Sequence, residues 1–210
     1  MDDQRTPIRP IHITLLGDSI FDNAVYTDGE PAVVDHLQTL LRPKGSATLR
    51  AVDGAVTRQV IEQLADLPPH TTHLVVSTGG NDALQQIDLL LESVATVSDA
   101  LERFREPLAL FERDYRALLE QVLHYGIPTW CCTIYNGMLE PPLDTVAPVA
   151  VSLFNDIIYR SAGKAGFPVV ELRRVCTAAA DYANPIEPSG VGGAKIARAI
   201  VEACCGGLQR

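Results

Sequence analysis

A serine follows directly on an apolar run near the start of the chain. Gly17-Asp18-Ser19 comes after residues 11–16, whose β-branched and leucine side chains are typical of a strand buried on both faces. Glycine allows a sharp turn there, and ligands bind at the carboxyl ends of parallel strands. The serine is therefore a candidate nucleophile, provided that a neighbouring base can take its proton.

Two further strand ends carry groups that can stabilise negative charge. Asp53-Gly54-Ala55 offers a backbone N–H at a glycine, and Gly79-Gly80-Asn81-Asp82 offers a side-chain amide. Attack on an ester carbonyl develops charge on its oxygen, and each preorganised donor typically stabilises that transition state by about 3–4 kcal/mol. The N–H groups of Ser19 and Gly54 and the amide of Asn81 are candidates for such an oxyanion hole.

The order of these segments resembles the SGNH hydrolase superfamily, which includes the GDSL esterases and lipases. Gly17-Asp18-Ser19 resembles its first block, Gly54 its second, Gly79-Gly80-Asn81-Asp82 its third and residues 184–189 its fifth. The resemblance covers essentially residues 1–210 as a single domain. It implies a flavodoxin-like three-layer α/β/α fold, hydrolysis of esters or thioesters, and no cofactor. Carried over by position, it makes Ser19 the nucleophile and Gly54 and Asn81 oxyanion donors.

The last block departs from the family pattern at two positions. Where the family has aspartate and, three residues later, histidine, this chain has Asn184 and Glu187, although the usual proline follows. We expect no other histidine to replace the missing one, because each falls inside an element or before a strand, away from the carboxyl ends. These histidines are His12, His36, His70, His73 and His124.

Glu187 is the remaining candidate base, which makes Ser19, Glu187 and Asn184 the candidate catalytic residues. The ordinary pKa of glutamate lies about two units below that of histidine, a loss of roughly 3 kcal/mol in driving force that burial partly recovers. We expect the Asn184 amide to donate a hydrogen bond to the Glu187 carboxylate and fix it. Alternatively, Glu187 faces solvent at the start of the last helix, where an acid interacts favourably with the dipole.

Three functions remain open on this pattern. The first is a hydrolase acting on a small acyl ester, and the second is a pseudoenzyme that binds an ester or glycan without turnover. The third is an acyltransferase, in which an alcohol rather than water resolves the acyl-enzyme. Candidate substrate-binding residues are Asp18, Asp82, Tyr135 and Tyr182, although the two aspartates are expected mainly to accept backbone N–H bonds within their turns.

The elements that must position these residues alternate along the chain. Helical spacing of apolar residues separates five strand-like runs, which predicts a parallel sheet covered on both faces. The predicted strands are 11–16, 47–52, 73–78, 129–134 and 168–172. A helix is predicted over 108–123 and a loop over 136–148. Residues 83–107 are expected to add a helix or two as structural padding or as a lid, and no lipid-sized apolar channel is evident.

Composition and charge exclude several classes of binding partner. A formal net charge of −9 argues against nucleic acid and anionic membranes, which favour basic surfaces. The polar amino terminus is unlike a signal peptide, so a cytoplasmic protein with a small-molecule ester substrate is expected, without membrane insertion. The five cysteines suit reduced thiols, and their spacing from histidine predicts no metal site. Oligomeric state is not indicated.

Overall fold

A computed structural model describes residues 10–206 and contains a five-stranded parallel sheet with helices on both faces. The strands are β1 (Ile11–Gly17), β2 (Gly45–Leu49), β3 (His73–Ser77), β4 (Thr129–Cys132) and β5 (Val169–Val170). The helices are α1 (Val33–Leu41), α2 (Thr57–Gln63), α3 (Gly80–Leu84), α4 (Val97–His124), α5 (Leu143–Ala165) and α6 (Gly190–Cys205). The predicted α/β class is confirmed. The amino-terminal residues that bear on the signal-peptide prediction lie outside the described range.

The core forms two layers because successive side chains of a strand point to opposite faces. On one face, Ile13 and Leu15 of β1 pack with α1 and α6. On the other, Leu16 packs with Val60 of α2 and Leu118 of α4. Helix α5 lies beside α4 on this second face. The result is the three-layer α/β/α sandwich expected from the sequence.

The strand order is β2-β1-β3-β4-β5. Helix α1 connects β1 to β2 across one face, whereas α2 connects β2 to β3 across the other. The connections therefore reverse direction between β1 and β3, and a crevice at the carboxyl ends of these two strands is where such sheets bind ligands. Ser19 follows β1 and Asn81 follows β3, so the topology brings both to this crevice.

Helices α4 and α5 both begin earlier than predicted. Helix α4 starts at Val97 and continues through Pro107. Its start is fixed by a capping box, in which the Thr96 side chain accepts from the Asp99 N–H and the Asp99 carboxylate accepts from the Thr96 N–H. Helix α5 starts at Leu143, so that residues 143–148 are helical rather than part of the predicted loop.

The segment 83–107 is neither a separate domain nor a long loop. After α3 it forms a 3-10 helix, Ile87–Leu91, and then the first turns of α4. No helix within residues 10–206 has the length and apolar character needed to cross a membrane. All five cysteines are free thiols, and four of them are buried.

Candidate active site

Ser19 and Glu187 meet although they are 168 residues apart in the chain. The Ser19 hydroxyl donates a hydrogen bond to Oε1 of Glu187 over 3.1 Å. The serine is 8% exposed and the glutamate 6%. This distance lies within the range in which a base can accept a proton directly. The alternative in which Glu187 faces solvent at the start of the last helix is wrong, because the side chain is buried and α6 begins later, at Gly190.

The turn that carries Ser19 requires a glycine before it. Gly17 has φ +140°, and a Cβ added there would lie 1.8 Å from the backbone oxygen of Ser77 on β3. The side chain of Gln63 then holds Gly17 from the other side, accepting from its N–H and donating to its C=O, each over 2.8 Å. Sequence reasoning did not find Gln63, since a buried glutamine on a helix has no distinctive spacing.

Asn184 positions Glu187 through the backbone. Its side-chain oxygen accepts from the N–H groups of Ile186 and Glu187 at 3.0 and 2.9 Å, and the Glu187 carbonyl accepts from Ala183 at 2.8 Å. The expected hydrogen bond from the Asn184 amide to the Glu187 carboxylate is absent from the described residues. The reason is local, since asparagine at the first position of a turn hydrogen-bonds the backbone two residues on.

The carbonyl groups on either side of Glu187 are also held. Tyr135, which follows β4, donates its hydroxyl to the Ile186 oxygen. The amide of Asn23, which is fully buried, donates to the Pro188 oxygen over 3.1 Å and accepts from the first N–H of α1. The backbone around Glu187 is therefore fixed from several directions. Asn23 was not found from the sequence, because one asparagine in a loop carries no pattern.

Burial raises the pKa of the Glu187 carboxyl. The hydrogen bond from Ser19 lowers the pKa and the nearby Asp53 raises it, so that the overall direction is upward. The second carboxylate oxygen, Oε2, is buried without a hydrogen-bond partner among the described residues. A carboxylate in this setting is more basic than an exposed glutamate, which is the property that a proton acceptor needs.

Asp18 is the second carboxyl group beside the serine. Its Oδ1 accepts from the Ile20 N–H over 3.2 Å, as expected for a turn aspartate. Burial is the largest cause and raises the pKa of Asp18 to about 8; the Ile20 hydrogen bond lowers the pKa, and the nearby Glu187 and Asp82 raise it further. The raised pKa favours the protonated form of Asp18 near neutral pH, which leaves Glu187, the hydrogen-bond partner of Ser19, as the candidate base.

Asp82 contacts the start of α2 and is not part of the cavity lining beside Ser19. Its Oδ2 accepts from the N–H and the hydroxyl of Thr57, each over 2.9 Å, which ties α3 to the start of α2. Burial raises its pKa in spite of these hydrogen bonds. The backbone N–H that Asp82 accepts thus comes from the start of α2 and not from its own turn, and Asp82 does not border the cavity beside Ser19.

Two of the candidate oxyanion donors, Asn81 and Gly54, lie at the start of α3 and on the loop after β2. Asn81 borders the same cavity as Ser19 and uses one amide N–H to bind the Ala55 carbonyl over 3.0 Å, which leaves its second N–H available. Gly54 has φ +76° and is exposed on the loop after β2, where it borders a separate polar depression. The Asn81–Ala55 hydrogen bond joins this loop to the carboxyl end of β3.

An apolar cavity opens beside Ser19. Ser19, Asn81, Glu187 and Asp18 border it, and most of the remaining lining is aliphatic or aromatic. No such channel is evident in the sequence, because its walls come from three separate segments: residues 83–104, the loop after β4 and α5. None of the five histidines borders the cavity.

The two tyrosines differ in their relation to this cavity. Tyr135 lines it, whereas the lining does not include Tyr182. The ring of Tyr182 packs edge-on against Tyr135 with 5.2 Å between ring centroids, and its hydroxyl donates to the Cys176 carbonyl over 3.0 Å. Tyr182 thus supports Tyr135, and the prediction that both line the pocket is wrong for Tyr182.

Comparison with known proteins identifies similar sequences and folds. A profile of the GDSL-like lipase/acylhydrolase family matches residues 15–191. No curated protein matches the chain.

Solved structures with similar folds include an acetyl xylan esterase, AlAXEase (16% identity, TM-score 0.68, covering 92% of this chain and 100% of that one). A second is a lipase/acylhydrolase from Enterococcus faecalis (17% identity, TM-score 0.69, covering 93% of this chain and 96% of that one). A third is the psychrotrophic esterase EstA from Pseudoalteromonas sp. (15% identity, TM-score 0.68, covering 95% of this chain and 99% of that one). At these identities the likeness establishes a common fold.

Proposed function

The chain belongs to the GDSL-like lipase/acylhydrolase family, an ester-hydrolysing family, and we propose from this that it cleaves esters with Ser19 as nucleophile and Glu187 as general base. The observation that carries the proposal is the hydrogen bond from the Ser19 hydroxyl to the buried Glu187 carboxylate. A carboxylate accepts a proton in the same geometry as an imidazole, and burial compensates part of its lower basicity.

In the first half-reaction, the Ser19 oxygen attacks the ester carbonyl carbon as Glu187 takes the hydroxyl proton. The carbonyl electron pair moves onto oxygen, where the N–H groups of Ser19 and Gly54 and the free amide N–H of Asn81 stabilise it. When the pair returns, the bond to the alcohol oxygen breaks, and Glu187 gives the proton to the leaving alcohol. Ser19 is left as an acyl ester.

In the second half-reaction, water replaces the alcohol. Glu187 takes a proton from the water as its oxygen attacks the acyl carbon, and returns that proton to the Ser19 oxygen as the acid leaves. Burial raises the pKa of Asp18 to about 8, which disfavours a second negative charge beside Glu187 that would oppose ionisation of the base.

Fluorophosphonate labelling tests the role of Ser19 and Glu187 directly. We expect labelling at Ser19, detected by peptide mass spectrometry, with a rate at least about a hundredfold lower in Glu187→Gln, which keeps the hydrogen-bond acceptor but not the base. Glu202→Ala, an exposed position on α6, is the matched control and should label like the wild type. An unlabelled Ser19 throughout the range of about pH 5 to 9 would point to a binding protein instead.

Product analysis separates hydrolysis from acyl transfer. With an alcohol acceptor added to the reaction, a hydrolase releases mainly the free acid, whereas an acyltransferase releases mainly the new ester. We expect the free acid to predominate at every acceptor concentration tested. A product mixture dominated by the transfer ester would replace hydrolysis by transfer while retaining Ser19 as nucleophile.

A further inference from the structure

We infer that the apolar cavity beside Ser19 holds the acyl chain of the substrate, so that medium-chain acyl esters are preferred to acetyl esters; this rests on the proposed function. Two walls form the cavity. Leu84, Ile87, Leu90 and Phe104 come from the segment between α3 and the first turns of α4, and the facing residues come from α5. The 3-10 helix Ile87–Leu91, which supplies Ile87 and Leu90 to the lining, packs against α5.

The α5 wall is built from small and aromatic residues. Ala147, Ala150 and Val151 line it, with Phe154 deeper in the core. The alanines leave space that larger residues at these positions would fill. The cavity therefore depends on side-chain size at a few positions of one helix, which makes its dimensions adjustable by single substitutions.

The distribution of polar groups along the cavity lining favours an apolar chain over a sugar as the bound part of the substrate. Asp18 and Glu187, both next to Ser19, are the only acidic or basic residues in the cavity lining within the described part of the chain. Elsewhere the lining offers two side-chain amides, those of Gln86 and Asn136. A sugar ring buried there would lose hydrogen bonds to water without replacing them, whereas an alkyl chain gains from leaving water.

Gly54, one of the candidate oxyanion donors, borders a polar depression and not the apolar cavity. Its lining includes Arg50, Asp53, Glu62 and Asp66, in contrast to the apolar cavity. With Gly54 and Asn81 as oxyanion donors, the ester carbonyl lies between the two. The acyl chain then enters the apolar side, and the hydroxyl or charged groups of the alcohol remain on the polar side.

A series of p-nitrophenyl esters from acetate to octanoate tests this inference. Burial of a methylene contributes about 0.8 kcal/mol, or about fourfold in kcat/KM, so we expect hexanoate to exceed acetate by at least about tenfold. Ala150→Phe, with Ala150→Leu as a milder variant, should lower the hexanoate-to-acetate ratio by at least about tenfold. Val149→Phe is the matched control, because Val149 is 67% exposed on the same helix and should leave the ratio unchanged.

Binding of 1-octanol to Ser19→Ala, measured by calorimetry, examines the cavity without turnover. We expect binding that Ala150→Phe weakens at least about tenfold and Val149→Phe does not change. Hydrolysis with a flat chain-length profile, or with acetate preferred, overturns the inference and leaves the proposed function intact. If Ser19 neither labels nor turns over any ester, the proposed function fails, and the octanol titration alone then supports or overturns the cavity as an alkyl site.

Discussion

Two carboxyl groups border Ser19, and they differ in their hydrogen-bond partners. Glu187 receives the serine hydrogen bond, whereas Asp18 receives one backbone N–H and is otherwise enclosed. Burial raises the pKa of both, and to about 8 for Asp18. Because only Glu187 accepts the serine hydroxyl, it is the candidate base of the two, a distinction that depends on contacts in the folded chain.

Asp18 makes stability depend on pH. Its folded-state pKa of about 8 lies above the ordinary value of 3.8, so the folded state binds the proton more tightly than the unfolded state. The stabilisation is complete below about pH 4 and declines as pH rises through about 8. In urea unfolding at several pH values, Asp18→Asn should flatten this decline, whereas exposed Asp66→Asn should preserve it. An unchanged slope in Asp18→Asn would show that Asp18 ionises freely.

Restoring the family's residues tests whether the site is otherwise complete. Asn184→Asp with Glu187→His introduces a more basic acceptor, and the new aspartate carboxylate can still accept the two backbone N–H groups that Asn184 holds. We expect kcat/KM for an activated ester to rise by about tenfold at mildly alkaline pH, with the acidic limb of the pH profile moving upward. Glu187→His alone is the reference. A folded but inactive double variant would contradict an intact oxyanion site.

At the scale of elements, the loop before α6 is held by side chains from two other segments, those that follow β1 and β4. Asn23 joins this loop to α1, and Tyr135 joins it to the end of β4. The sequence indicated which blocks meet, because right-handed crossovers bring all parallel strand ends to one edge. It did not indicate these cross-links, which depend on side-chain directions in irregular loops and leave no periodic pattern.

Asn23 is a positioning residue for Glu187, and its loss should change more than stability. We expect Asn23→Ala to lower kcat by about tenfold or more with little change in KM. Because Glu187 gains contact with water, its pKa should fall, and the acidic limb of the pH–rate profile should move to lower pH. Asn155→Ala is the matched control, since Asn155 is also buried and also bridges backbone groups, at Ile134. Both variants should lose stability, but only Asn23→Ala should shift the acidic limb of the pH–rate profile. A limb unmoved in Asn23→Ala would reduce Asn23 to a purely structural role.

The turn at Gly17 sets the close approach of β1 and β3. Gly17→Ala should destabilise the fold by several kcal/mol, because a Cβ would collide with the Ser77 carbonyl and the φ of +140° is strained for alanine. Gly163→Ala should be neutral or stabilising, since Gly163 is an exposed helical position with no atom within 4 Å of its added Cβ. The midpoint temperatures of thermal unfolding of the two variants and the wild type give the comparison. Equal stability would mean that the turn relaxes at little cost.

For the molecule as a whole, the sequence predicted the layers and the edge at which the site lies, and it missed the cavity. Strand periodicity and turn glycines are local signals, and they located Ser19 and Asn81 correctly. The cavity joins residues 83–104 to α5, and no local pattern reports which distant helices face each other. The early start of α5 was missed for a related reason, because Pro142 and Pro148 are typical of loops even though one of them lies within the helix.

The net charge of −9 should influence substrate capture over long distances. At low ionic strength an anionic ester approaches against the field of the protein and a cationic ester approaches with it. We expect kcat/KM for a cationic ester, relative to a matched anionic one, to fall as ionic strength rises and the Debye length shortens from about 30 Å at 0.01 M to about 8 Å at 0.15 M. A ratio that is independent of salt would mean that local contacts alone decide the capture.

The separation of 168 residues between Ser19 and Glu187 also determines when the site comes into being during synthesis. A nascent chain carries its serine from the first strand onward, but the glutamate leaves the ribosome only after the other strands have been made. Helix α6 must then dock against α1. Every chain that stops short of Glu187 therefore lacks the hydrogen-bond partner of Ser19, and under the proposed function full reactivity belongs only to the finished fold.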